Sequence, residues 1–397
     1  MKFSKKIQRI EPSMTLAVDA KAKELRANGV DIIGFGAGEP DFDTPDKIKK
    51  AGIAAIETNM TRYTPVGGID ALKQAIVNKF ERDNNLIYKK NQILVSCGAK
   101  HSLFNIAQVL WEEGDEIIVP APYWVSYPDI IRYAGAKPVI INTLSANEFK
   151  ITPDQISSAV TANTRAIIIN SPSNPTGSAY SKKELEGIAE CALSNKLLIV
   201  SDEIYEKVVF DGFEQHSICS IGKEVQNNSI LINGVSKSYA MTGWRIGYLA
   251  ANDEIVKQAG KLQGQSTSNP TSISQMASIT ALNDTDSDVR QMIEEFQKRR
   301  DTILNCLLKI PFVECYKPVG SFYTFPDFSA FYGKSFKGEK IEGSMQLANF
   351  LLEEGKVALV PGIAFGAEKN LRLSFAASMD TIKQGVDRIT KALDLLE

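Results

Sequence analysis

The decapeptide Ser236-Lys237-Ser238-Tyr239-Ala240-Met241-Thr242-Gly243-Trp244-Arg245 follows a strand-like run, Ile230–Asn233, and precedes another, Ile246–Ala250. A lysine just past a buried strand is out of the ordinary, because burying an ammonium is costly unless it is paired or neutralised. Held in a polar cleft, its pKa falls and its amine becomes a nucleophile suited to Schiff-base chemistry with a carbonyl. Ser236 and Arg245 add a hydroxyl and a planar fork of donors, the equipment for holding a phosphate. A solvated loop lysine is the ordinary alternative for any single lysine, and the surrounding decapeptide is what favours the chemical reading.

Three further clusters sit beyond other apolar runs. Ser201-Asp202-Glu203-Ile204-Tyr205 follows Leu197–Val200. Ligands of open α/β sheets bind at such carboxyl ends, and an acid there can hold a cationic ring nitrogen. The cap of a following helical turn is the plainer alternative for Asp202. Asn170-Ser171-Pro172-Ser173-Asn174-Pro175-Thr176-Gly177 follows Arg165–Ile169 and reads as a rigid turn able to present Asn174 to a cleft. In Ser96-Cys97-Gly98-Ala99-Lys100-His101, Gly98 allows a close approach and the first amides of a following helix face an anion. Lys100 in that first turn opposes the helix dipole, a conflict worth only about half a kcal/mol that an anionic ligand would relieve.

Other chemistries fit poorly. Gly34-Phe35-Gly36-Ala37-Gly38 resembles part of a dinucleotide loop, but Glu39 stands where the third glycine belongs and Pro40 opposes a helix. No phosphate-cradling G-x-x-x-x-G-K-[ST] occurs, and Cys97 near His101 has no recognisable third member of a triad.

The elements that must position these residues can be read from periodicity. Seven short apolar runs, Ile93–Ser96, Glu116–Pro120, Lys137–Ile141, Arg165–Ile169, Leu197–Ser201, Ile230–Asn233 and Ile246–Ala250, alternate with helical patterns such as Ser181–Asn195. Several are apolar at nearly every position, the mark of strands covered on both faces in a mostly parallel sheet. The reading is α/β with helices on both sides. From Ser272 to Ile310 the pattern is helical and charged, predicting one long helix or two in sequence. Short strands at Phe322–Phe325, Val357–Val360 and Leu371–Phe375 and a terminal helix over Met379–Leu396 then predict a smaller α+β domain. The expected division is a large domain at 46–290 and a small domain made of 1–45 and 291–397.

Composition bounds the rest. The 397 residues correspond to about two or three domains and need no disulfide or metal to fold. With 45 Lys+Arg against 47 Asp+Glu, a nucleic-acid or acidic-membrane partner is not expected. Five scattered cysteines argue for free thiols in a reducing compartment, so the expected location is the cytoplasm. Two histidines exclude a His-rich metal site. Met1–Arg9 is polar and basic, unlike a secretory signal, and no run of about 18 apolar residues is present to span a membrane.

The four clusters stand in the order found in fold-type I pyridoxal-phosphate enzymes. From Ile10 to its last helix the chain resembles the class I aminotransferases, nearest to the bacterial type of aspartate aminotransferase, a subgroup that includes prephenate aminotransferases. The resemblance also rests on Ala37-Gly38-Glu39-Pro40-Asp41-Phe42, Pro122-Tyr123-Trp124-Val125-Ser126-Tyr127-Pro128 and Arg372-Leu373-Ser374-Phe375. It implies a fold-type I architecture, with a mostly parallel seven-stranded sheet in the large domain, and pyridoxal 5'-phosphate as cofactor. Lys237 would form the Schiff base and shuttle a proton, and Asp202 would keep the pyridine nitrogen protonated. Tyr205 and Asn174 would bond the ring's phenolic oxygen, and Trp124 would stack on the ring. Gly98, Ala99, Ser236 and Arg245 would hold the phosphate. Tyr63 would reach it from a neighbouring subunit, implying a homodimer with shared sites. Arg372, helped by the Gly38 amide, would clamp the substrate α-carboxylate.

In that subgroup the distal carboxylate is read by a lysine at the Gly-x-Lys helix start and by N-terminal hydroxyls, here Lys100, Ser13 and Thr15. The resemblance therefore implies ping-pong transfer of the amino group from L-aspartate to 2-oxoglutarate, giving oxaloacetate and L-glutamate. Prephenate or aromatic amino acids, or β-lyase chemistry on the same scaffold, are the alternatives. A non-enzymatic regulator carrying this fold would need an added DNA-binding module. Departures from the subgroup pattern are mild: Ala99 stands where Gly is frequent, and Ser238-Tyr239 where Ala-Phe is common.

Overall fold

The computed structural model describes the chain from Met1 to Glu397 except Ser13 and Thr285, and the side chains of Thr15, Leu16 and Asp19 are likewise outside the described set. Its strands in chain order are β1 (Ile33–Gly34), β2 (Ile93–Ser96), β3 (Glu116–Ala121), β4 (Lys137–Asn142), β5 (Thr164–Asn170), β6 (Leu198–Asp202), β7 (Ser229–Gly234) and β8 (Gly247–Ala250). They continue as β9 (Tyr323–Thr324), β10 (Ser335–Phe336), β11 (Glu339–Lys340), β12 (Val357–Ala358), β13 (Val360–Pro361) and β14 (Leu371–Ser374).

The seven apolar runs become one seven-stranded sheet of order β2-β8-β7-β6-β5-β3-β4. Only β8 runs antiparallel to its neighbours, β2 and β7. The remaining pairings are parallel. Both faces are covered, which is why the strands read as continuous apolar runs rather than alternating ones. The pleat sorts side chains by parity. On one face Ile93, Val95, Ile118, Ile167, Ile169, Ile199 and Leu231 pack against Leu72, Ile76 and Phe80 of helix Asp70–Asn84 and Leu185 and Ile188 of helix Lys182–Ser194. On the other, Leu94, Ile117, Val119, Ile168, Val200 and Ile230 meet Leu103 and Ile106 of helix Ala99–Leu110 and Ile131 of helix Ser126–Ala134. The chain is thus a three-layered α/β fold of the expected type.

A second body gathers around Phe35, Phe296, Ile303, Phe322, Leu347, Leu371 and Val386. Its three-stranded sheet has the order β13-β14-β9. The helical tract resolves into two helices, Ser272–Asn283 and Asp286–Leu307. The single strand expected over Val357–Val360 is instead two, since β12 pairs in parallel with β1 while β13 pairs antiparallel with β14. The terminal helix stops at Leu393. No described helix is long and apolar enough to cross a membrane.

Candidate active site

Eight chain segments meet at one end of the large sheet and line a cavity of about 550 Å³. That end carries the carboxyl termini of β5 and β6, where Asn170 pairs with Asp202 and Asp202 with Ile232 in register. The β7–β8 connection carries Ser236, Lys237, Thr242 and Arg245 into the same cavity. Alternation along β6 turns Ser201 and Asp202 to opposite faces, and Asp202 lines the cavity while buried by protein.

Lys237 is partly buried and its Nζ donates to the Gly38 carbonyl. Burial pushes its pKa down to about 8, with Arg372 and Arg245 acting in the same direction and Glu39 and Asp202 opposing them. The amine is thus far closer to its neutral, nucleophilic form than a surface lysine. Asp202 is shifted the other way. Burial raises its carboxyl, while a 2.7 Å hydrogen bond from the Tyr127 hydroxyl, a contact from the Ile204 amide and the charge of Lys237 hold it down. A buried acid in this position gains most from a cationic partner.

The turn after β6 also delivers Tyr205, whose hydroxyl lies 3.0 Å from that of Tyr323. Asn170 braces the turn after β5. Its Nδ2 donates to the Asp202 carbonyl at 2.9 Å, and its Oδ1 accepts from the Asn174 amide at 2.9 Å. Asn174 Oδ1 in turn accepts from Arg372 Nη1 at 3.0 Å. Arg372, on β14, donates through Nη2 to the Gly36 carbonyl at 2.7 Å, lies 4.4 Å from the Tyr323 ring centroid, and keeps a buried Nε without a partner.

The anion-facing end is built by close backbone approach. Gly98 has φ +91°, and a Cβ there would fall 2.3 Å from Arg245 Nη2. A Cβ on Gly247 would fall 2.1 Å from the Ala99 amide nitrogen. Only glycines let β8 and the arginine fold over the start of helix Ala99–Leu110. Arg245 is fixed by donation to the Thr242 carbonyl at 2.8 Å and the Cys97 carbonyl at 3.3 Å. Thr242 Oγ1 donates to Glu39 Oε2 at 2.7 Å, so the Gly36–Asp41 segment is tied to the lysine loop. Lys100 Nζ sits 4.9 Å from the Trp124 ring centroid, and its pKa is lowered first by desolvation and then by Arg245.

Of the residues expected from sequence, Gly38, Ala99, Lys100, Trp124 and Asn174 line this cavity, as do Asp202, Tyr205, Ser236, Lys237, Arg245 and Arg372. Gly98 stands beside it through its contact with Arg245. Tyr63 does not line it within one chain and is 92% exposed. Ser13 and the Thr15 side chain lie outside the described residues. Sequence reasoning gives no role to Tyr127, Tyr323, Glu39 or Thr242. Tyr127 and Glu39 stand inside motifs that carry the resemblance, and Thr242 in the lysine decapeptide, so each has a signal of position. Tyr323 has none, because its place depends on how the second body meets the first.

The family model for class I and II aminotransferases matches residues 30–389. The chain is 49% identical to an aspartate aminotransferase of Bacillus sp. (strain YM-2), over 98% of both chains. It is 46% identical to a probable aspartate/prephenate aminotransferase of Rickettsia typhi, over 99% of both. The structure superposes on the aspartate aminotransferase of Rhizobium meliloti with a TM-score of 0.97 at 40% identity, over the whole of both chains. It superposes on that of Thermus thermophilus with maleate with a TM-score of 0.93 at 37% identity, covering 99% of this chain and all of the other.

Proposed function

The chain belongs to the class I and II aminotransferases and is an aminotransferase, and from that premise we propose that it moves the amino group of L-aspartate to 2-oxoglutarate with pyridoxal 5'-phosphate as cofactor. The observation that carries the reading is the convergence of Lys237, Asp202 and Arg372 on one cavity. The residues present fit the cofactor. A lysine near neutrality suits an aldehyde. A buried acid short of a cation suits a protonated ring nitrogen. The glycine-backed cradle of the Ala99 amide, Ser236 and Arg245 suits a phosphate. Trp124 would stack on the ring, and Tyr205 and Asn174 would face its phenolic oxygen.

When bound, the cofactor supplies an electron sink that makes the substrate Cα proton removable. Lys237 Nζ would take that proton from Cα and pass it to the cofactor within the same half-reaction, and the second half-reaction would run the transfer in reverse, so a single base serves both. Arg372 binds the α-carboxylate through its planar fork and thereby orients the Cα–H bond toward Lys237. Tyr127 keeps Asp202 in one orientation through its 2.7 Å bond. Lys100, with Ser13 and Thr15, would read the distal carboxylate. The structure of the Thermus thermophilus relative with maleate, itself a dicarboxylate, supports a dicarboxylic ligand.

Two features support a homodimer with shared sites. Tyr63 is nearly fully exposed in one chain, and Ile53 and Ile56 leave an apolar stripe open on helix Asp46–Glu57 at 55% and 54% exposure. Residues 46–290 would then form the cofactor-holding domain, with 1–45 and 291–397 as the part that closes over substrate. The five unpaired cysteines support a cytoplasmic setting.

The test is spectroscopic. Purified protein with added cofactor should show a visible band that bleaches with aspartate and returns with 2-oxoglutarate. Bleaching by prephenate-derived or aromatic amino acids alone would move the substrate to the alternative that the name of the Rickettsia relative includes. No visible band would overturn the reading.

A further inference from the structure

We propose that Tyr323 is a positioning residue that links carboxylate docking at Arg372 to the hydrogen-bond donor strength of Tyr205. The inference rests on the aminotransferase reading above and deepens it.

Tyr323 belongs to β9 of the second body, where it pairs with Ser374 of β14. Arg372 lies two residues earlier on β14 and so on the same face as Ser374, diagonal to Tyr323. The guanidinium sits 4.4 Å from the Tyr323 ring centroid, a cation–π distance. At its other end Tyr323 reaches the turn after β6, where its hydroxyl lies 3.0 Å from that of Tyr205. One fully buried side chain thus touches the two groups assigned to the substrate carboxylate and to the cofactor's phenolic oxygen.

The direction of the hydrogen bond follows from chemistry. Burial raises both phenols, so each is neutral and carries one proton. If Tyr205 donated to Tyr323, its proton would be lost to the cavity. If Tyr323 donates to Tyr205, the Tyr205 proton stays free for an oxygen in the cavity, and the chain of two donors strengthens the outer one. Arg372 draws down both phenols, but its guanidinium lies against the Tyr323 ring at 4.4 Å, and Tyr323 in turn holds Tyr205 up, so Tyr323 is the better donor. A carboxylate that neutralises Arg372 removes that bias and weakens Tyr205 as a donor. The charged and titratable groups facing the pair are Arg372, Asp202, Glu39 and Lys237.

The experiment is a pH titration of the visible band of the cofactor-loaded enzyme, with and without maleate as a non-reacting dicarboxylate, in the wild type, Tyr323→Phe, Tyr205→Phe and the double variant. Loss of the Tyr323 hydroxyl should raise the spectral pKa by roughly half to one pH unit, the worth of one hydrogen bond. It should also shrink the rise that maleate causes. In the Tyr205→Phe background the same substitution should do nothing, which a merely structural role would not predict. Equal pKa values in wild type and Tyr323→Phe, or an undiminished effect in the Tyr205→Phe background, would overturn the proposal. A wild type whose band does not form would instead overturn the functional reading on which it rests. Thermal melts of the apoproteins check that Phe, which keeps the ring, leaves the fold intact.

Discussion

At the scale of single residues, the site couples a lysine poised near neutrality to an arginine already committed to the protein. Arg372 gives Nη1 to Asn174 and Nη2 to Gly36, so the guanidinium plane is set before any ligand arrives. Arg372→Lys keeps the charge and loses the plane. We expect kcat/KM for aspartate to fall by at least about 100-fold, chiefly through KM, while the visible band of the lysine-bound cofactor still forms. Steady-state kinetics beside the absorbance spectrum checks both halves. Lys237 and Asp202 were legible in the sequence because each sits in a dense local motif at the end of an apolar run, whereas Arg372, inside the short run Leu371–Phe375, was legible only through the family resemblance. Tyr127 lies in such a motif too, yet only folding shows its hydroxyl on Asp202. Tyr323 stands in Gly320-Ser321-Phe322-Tyr323, where any aromatic residue could equally be core.

At the scale of elements, the end of β6 and the turn after it present Asp202 and Tyr205 to the cavity and are anchored from behind by two buried acids. Glu203 Oε1 accepts from Ser201 Oγ and Ser217 Oγ, each at 2.7 Å. Glu206 is ion-paired with Lys79 and accepts from Asn84 Nδ2 at 3.0 Å. Burial and the nearby Glu206 push Glu203 from 4.5 up to about 8. The folded value exceeds the unfolded one, so between about pH 4.5 and 8 the native state holds a proton that the unfolded chain has released. Stability contributed by this group therefore falls as pH rises through that window, by at most about 1.4 kcal/mol per pH unit. Glu203→Gln should flatten that slope, and denaturant melts at pH 5 and pH 8 would measure it; an unchanged slope would rule out Glu203 as its source. Lys79→Met leaves Glu206 charged, buried and unpaired, and should cost about 3–5 kcal/mol in the same melts. The seven large-sheet strands were readable because both faces are covered and nearly every position is apolar. The split of 357–361 into β12 and β13 was not, because two-residue strands take their identity from partners far away in the chain, β1 and β14.

At the scale of the whole molecule, the proposed dimer makes a claim that one chain cannot satisfy alone: Tyr63 completes the site of its partner. Subunit mixing separates this from a role within the same chain. Tyr63→Ala leaves Lys237 in place, and Lys237→Ala leaves Tyr63 in place. Each homodimer carries two damaged sites, and Lys237→Ala should lose about 100- to 10,000-fold in turnover with its base. In a mixed dimer with a two-fold axis, the Lys237 of the first chain meets the Tyr63 of the second, and one whole site is restored while the other holds both lesions. Random reassortment after mild denaturation makes half of the dimers mixed, so turnover at limiting cofactor should recover to about a quarter of the wild-type value. Recovery no greater than the average of the two homodimers would place Tyr63 outside the shared site. The apolar stripe offers an independent handle on the same interface. Ile53→Glu with Ile56→Glu puts two charges where the proposed contact excludes water, and sedimentation should then show monomers that keep the fold but no longer reassort. Dimers persisting in that variant would move the interface away from helix Asp46–Glu57, whereas monomers with full activity would show that each chain's site is complete without its partner.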